Sequence, residues 1–118
     1  MAILGLGIDV VALDRFESAI DRSPGFVDRI FTPAERELGR HSLAARWAAK
    51  EALAKALGAP AGLAWHDAEV VRGATGAPEF VVRGTVAARA TELGISTFHL
   101  SMSHDAGVAS AVVVAEGP

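Results

Sequence analysis

The stretch SLAARWAAKEALAKALG, Ser42–Gly58, fixes the frame on which the rest of the chain is read. It is rich in strong helix formers, carries a capping residue at Ser42 and meets a helix-stopping glycine at Gly58, so it predicts one long helix. On a wheel of about 100° per residue it is apolar on nearly every side and belongs in a core. Four charges interrupt it: Arg46, Lys50, Glu51 and Lys55. Lys50 falls between Leu43 and Leu57, inside the arc that faces the core. Glu51 and Lys55 lie on an adjoining face lined by alanines, small enough to let other backbone or a ligand approach. A purely structural account pairs Glu51 with Lys55 at i,i+4 and lets Lys50 snorkel to water.

Upstream, residues 2–9 (AILGLGID) crowd Ile3, Leu4, Leu6 and Ile8 between glycines and predict a buried strand. From Val11 to Arg22 the period changes, with Leu13, Phe16 and Ile20 at helical spacing and Pro24-Gly25 as the stop. TPAERELGR then opens with a capping box, Thr32 and Glu35, which predicts a short helix. Downstream, AEVVRGATGAPEFVVRG predicts a hairpin around a glycine-containing turn, TVAARATELG a short helix ended by Gly94, and TFHLSMSH with GVASAVVVA a second hairpin turning at Asp105-Ala106-Gly107. Helices gather in the first half and hairpins in the second. The expected class is therefore α+β, with a mainly antiparallel sheet around the long alanine-rich helix, over one domain, residues 1–118.

Half of the 118 residues are hydrophobic and 21% are charged, which excludes a disordered chain. The absence of cysteine rules out disulfides, thiol catalysis and thiolate-bound metal, and it is compatible with a reducing cytoplasm. No segment approaches a membrane span and the amino terminus lacks the basic region of a signal peptide, so a cytoplasmic protein with no membrane association is expected. A net charge of -3 argues against nucleic acid as the main ligand.

Asp9 interrupts the apolar run GLGIDVVAL, and an ionised carboxylate in such a place needs a partner. It either caps the helix that follows or joins Glu51 as a pair of hard oxygen ligands for Mg²⁺, with Lys50 and Lys55 placed for phosphate oxygens. His104 shares a strand face with Leu100 and Met102 but stands beside a turn, where sites are commonly built; His99 falls on the opposite face, which argues against a two-histidine metal site. Ser103, His104 and Asp105 are consecutive and cannot converge as a triad. GLGIDV lacks the third glycine of a dinucleotide fingerprint. Glu35 is accounted for by its capping box. Arg15 and Arg22 share one helix face, which reads either as a solvated surface or as a seat for an acidic protein.

Taken together, GIDVVALDR (Gly7–Arg15), FTPAE (Phe31–Glu35), RWAAKEALAKALG (Arg46–Gly58) and SMSHD (Ser101–Asp105) resemble holo-acyl-carrier-protein synthases, the small class of 4'-phosphopantetheinyl transferases. The resemblance implies Mg²⁺-dependent transfer of the phosphopantetheine arm of coenzyme A to a serine of apo acyl carrier protein, releasing adenosine 3',5'-bisphosphate. It implies Asp9 and Glu51 as metal ligands, and Glu51 and Lys55 as catalytic residues. Arg46, Lys50, Lys55 and His104 would bind coenzyme A, and Arg15 and Arg22 would receive the carrier. The proton acceptor is left open among Glu51, a carboxylate near it and a metal-bound water. The resemblance also implies a homotrimer with coenzyme A between subunits. Trp47 stands where relatives usually carry phenylalanine, and GAPAG after the helix replaces a more glycine-rich loop. Two other readings predict different chemistry: a non-catalytic trimeric binder, and a Mg²⁺-dependent hydrolase of coenzyme A-like diphosphates, which needs no carrier surface.

Overall fold

A computed structural model describes residues 1–118. The long helix, α3, runs from Arg40 to Ala56, following β1 (Ala2–Ala12), α1 (Leu13–Arg22), α2 (Phe26–Ile30) and a 3₁₀ turn at Glu35–Glu37. After a second 3₁₀ turn at Trp65–Asp67 come β2 (Ala68–Arg72), β3 (Pro78–Val82), α4 (Gly84–Leu93), β4 (Thr97–Asp105) and β5 (Val108–Gly117). Both sheets are antiparallel, in order β1-β5-β4 and β2-β3. The expected α+β class is what forms.

Helix α3 lies across the inner face of the larger sheet. Its Ala48, Ala49, Ala52 and Leu53 are sealed against Ala111, Val113 and Ala115 of β5. Phe16, Ile30, Phe31, Leu43 and Ala44 make a second apolar cluster around its first half. Contact with β1 is closest of all, because that strand presents Gly5 and Gly7 to the helix: a Cβ on either would overlap the carbonyl oxygen of Ala56 or Ala52. Small residues on both sides let strand and helix backbones touch, and this draws Asp9, the next inward residue of β1, against the helix.

Four expectations need correction. β1 is not buried: Leu6, Ile8 and Val10 stand 64%, 63% and 61% exposed on the outer face of the sheet. Its apolar run reads as a core strand, yet the inward positions are glycine and aspartate and the outward ones carry the bulk. Ser42 does not cap α3, which begins at Arg40 after Gly39 and has no side-chain cap. TPAERELGR gives a single 3₁₀ turn, although its capping box forms, with Thr32 N–H donating to Glu35 Oε1 at 3.0 Å and Glu35 N–H to Thr32 Oγ1 at 3.4 Å. Beyond Pro24-Gly25, residues 26–30 form α2, a helix too short to leave a clear period. The second hairpin closes as expected, with Ala106 and Gly107 at φ of 51° and 80° between Asp105 and Val108.

Candidate active site

The close approach of β1 to α3 brings together two residues 42 positions apart in the chain, Asp9 and Glu51. Both line one hollow, close enough for the charge of Asp9 to act on Glu51. Asp9 does not cap α1, whose N-cap is Ala12 with no side-chain bond. Its side chain is only 12% exposed, Oδ1 accepts a hydrogen bond from Lys55 Nζ at 3.2 Å, and Oδ2 is buried with no partner. Burial pushes the Glu51 carboxyl above the usual carboxylate range, the neighbouring Asp9 charge adds to the shift, and Lys55 opposes it. Two half-buried acids with one orphaned oxygen are short of positive charge, and the shortage suits a hard divalent cation.

Lys55 is on the open side of this pair. Its Nζ donates to Ile8 O at 2.9 Å and to Asp9, not to Glu51 as the i,i+4 reading has it. Its side chain stays 53% exposed, and the third N–H is available to a ligand. Lys50 behaves otherwise. It is 1% exposed, and Nζ donates to Glu35 Oε1 at 2.7 Å, Ile30 O at 2.8 Å and Trp65 O at 3.2 Å. All three donors are taken, so Lys50 neither snorkels nor reaches a phosphate; it is an internal brace. Glu35, which the capping box alone seemed to explain, also accepts from Val70 N–H at 2.8 Å. Nothing in the sequence marks that pairing, because the partners come from three separate elements.

An open hollow of about 320 Å³ adjoins the acid pair, walled by Arg15, Phe16, Phe26 and Trp47. Arg15 and Arg22 share the outer face of α1 as expected, both exposed, and neither takes part in an ion pair. Arg46 and His104 are elsewhere. Five residues along a helix amount to a turn of about 140°, so Arg46 and Glu51 sit on opposite flanks of α3. Arg46 lines a separate hollow of about 200 Å³ with Ser42, Arg72, Ser103 and His104. Arg72, Ser42 and Ser103 are absent from the sequence-based set; the β2–β3 hairpin and the end of β4 meet α3 only in the folded chain.

Residues 5–112 match the model of the 4'-phosphopantetheinyl transferase superfamily. The chain belongs to this superfamily. A holo-[acyl-carrier-protein] synthase of Beutenbergia cavernae is 63% identical to this transferase over 114 residues, covering 97% of the chain and 98% of the relative. Among solved structures, the holo-ACP-synthase of Plasmodium yoelii superposes with a TM-score of 0.88 at 26% identity, covering 99% of this chain and 97% of that one. The Helicobacter pylori holo-[acyl-carrier-protein] synthase, solved in complex with coenzyme A, superposes at 0.82 with 32% identity, covering 94% and 99%. The transferase shares its α+β fold with both. No helix in it is long and apolar enough to cross a membrane.

Proposed function

We propose that this transferase moves 4'-phosphopantetheine from coenzyme A to a serine of apo acyl carrier protein in the cytoplasm, requires Mg²⁺, and releases adenosine 3',5'-bisphosphate. The observation that carries the reading is the Asp9–Glu51 pair, half-buried, one oxygen without a partner, beside a lysine with a donor to spare. Asp9 and Glu51 would hold the metal, which when bound supplies the charge that draws in the diphosphate and eases its cleavage. The serine oxygen attacks the phosphorus that carries the pantetheine arm, and the bond to the bridging diphosphate oxygen breaks. Lys55 donates its outward N–H to the oxygens on which charge grows. The serine proton passes to a base at this site, with Glu51, a carboxylate near it and a metal-bound water as the candidates.

The carrier is acidic, and Arg15 and Arg22 offer it two unpaired guanidinium groups beside the acid pair. The hollow between them and the pair, walled by Phe16, Phe26 and Trp47, gives an apolar side chain of the carrier a seat. Arg46 and His104 serve coenzyme A on the other flank of α3 from the Asp9–Glu51 pair. A homotrimer, the assembly the resemblance implies, would join the Asp9 flank of one copy to the Arg46 flank of the next. The outer sheet face supports such an assembly: Leu6, Ile8 and Val10 of β1 lie exposed next to Val112 and Val114 of β5.

The test is to mix the protein with apo carrier protein, coenzyme A and Mg²⁺ and to weigh the carrier. Gain of the phosphopantetheine mass, abolished by EDTA and by Asp9→Ala, is the expected result. Release of adenosine 3',5'-bisphosphate with an unmodified carrier would replace this reading with the hydrolase. Nucleotide binding without either product would leave a binder.

A further inference from the structure

The outer face of the larger sheet is apolar along two strands and polar along the third. Ile3, Leu6, Ile8 and Val10 of β1 stand outward, between 61% and 69% exposed, and β5 sets Val112 and Val114 beside them. Edge strand β4 turns Thr97, His99, Ser101 and Ser103 to the same side, opposite Glu116, Val114, Val112 and Ser110 of β5. Within this face two titratable groups meet. His99 Nε2 and Glu116 Oε1 are hydrogen-bonded at 3.1 Å, with the histidine side chain 58% exposed and the acid 23%. Asp105 stands six residues further along β4, at the far end of the face.

A contiguous exposed apolar face is a contact surface, and the assembly proposed above seats second copies of this chain on it. Covering the face takes His99 and Glu116 out of water. While the imidazole is protonated the pair is neutral overall and each group has its partner. Once the proton is lost, the carboxylate remains as a net charge beside Val114 and Leu6, and every copy in the assembly brings another. Histidine is the side chain that makes this change near neutral pH. The surroundings favour its charged form: Glu79 of β3 lines the same hollow as His99, α4 adds the uncharged Thr91, and no lysine or arginine lines it. β1 contributes only apolar groups, Ile3 opposite Glu116 and Leu6 opposite Val114.

We propose that His99 and Glu116 form a pH-sensitive clasp on the self-association face, which holds copies of this chain together while the imidazole carries its proton and loosens them when it does not. The inference rests on the homotrimer reading and deepens it; the chemistry of transfer does not enter. Assembled copies bind the proton more tightly than separate ones, so the contribution is full at acid pH and is lost as pH rises through the titration of the assembled histidine.

Sedimentation separates the clasp from the assembly. The full chain and its His99→Gln and Glu116→Gln variants are centrifuged over a range of concentrations at about pH 6 and about pH 8, on either side of an ordinary histidine titration, with circular dichroism alongside. His99→Gln keeps a hydrogen-bond donor in place and cannot take up a proton. The wild type is expected to associate roughly 10-fold more tightly per interface at the lower pH, the difference made by one charge-assisted hydrogen bond. In His99→Gln that difference disappears. Glu116→Gln loses the advantage at the lower pH, where the imidazolium is left without its acid, so either variant decides the matter if the other does not fold. A wild type that associates equally at both pH values overturns the clasp and leaves the assembly standing, as does a pH difference that survives in His99→Gln. A wild type that is monomeric throughout overturns the homotrimer reading and the clasp with it.

Discussion

Lys50 and Lys55 stand five residues apart on one helix and live under opposite rules. Lys50 is sealed, and its charge is met by Glu35 and two carbonyl oxygens, leaving nothing to offer a ligand. Lys55 is half open, meets a carboxylate that has an orphaned oxygen, and keeps a donor in hand. The difference teaches how to tell a structural charge from a working one. A buried ion pair with every lone pair and proton answered maintains the fold, whereas a partly buried set with one answer missing is waiting for a ligand.

Lys50→Met breaks the comparison most severely. It strands the Glu35 carboxylate in the core, and denaturant unfolding is expected to show a loss of about 3–5 kcal/mol. Lys55→Ala should cost about 1–2 kcal/mol of unfolding free energy, less than Lys50→Met, because Lys55 is half exposed and water can reach its place beside Asp9. Its kcat should fall about 100-fold, as when one donor to a charged transition state is removed. If Lys55→Ala unfolds the protein and Lys50→Met merely slows it, the division between the two lysines is wrong.

Glu51 sharpens the same contrast through pH. Burial and Asp9 raise its folded pKa above the unfolded value, so its protonated form favours folding. That contribution is full below the unfolded pKa and is lost as pH rises through the folded one. Glu51→Gln, which cannot ionise, is therefore expected to match wild type at acid pH and to melt a few degrees higher at neutral pH without metal, in roughly the range of a 1 kcal/mol effect. Mg²⁺ should raise the melting temperature of wild type and leave that of the variant nearly unmoved. The smallest effect lies far from the site. Ala106 holds φ of 51° in the β4–β5 turn, a conformation that asparagine tolerates better than alanine. Ala106→Asn should add about 0.5–1 kcal/mol by chemical denaturation and leave transfer rates unchanged.

Much of this was legible in the chain itself. The alanine-rich stretch announced its helix, the hairpins announced their turns, and Asp9 and Glu51 stood out because a charge in an apolar run demands an explanation. Lys50 is equally conspicuous, and its partner is not. Its wheel position shows that it faces inward, but the Glu35 waiting there arrives from a 3₁₀ turn whose own capping box already accounted for it. Arg72 carried no signal at all, since an arginine at a strand end is ordinary until a hairpin folds it over another arginine.

Local rules therefore settled which segments become helix, strand and turn, since propensity, capping and periodicity act within a few residues. They also marked the two acids, because desolvation penalises a lone carboxylate wherever an apolar run carries it inward. Only the folded chain decided which charges are answered and which are left over. Gly5 and Gly7 let β1 lie close enough on α3 for Asp9 to face Glu51, and the long-range meeting of α3, β2 and β4 left Arg46 without a counter-charge. Satisfaction of a buried charge is a property of distance in space, and separations along the chain of tens of residues do not encode it.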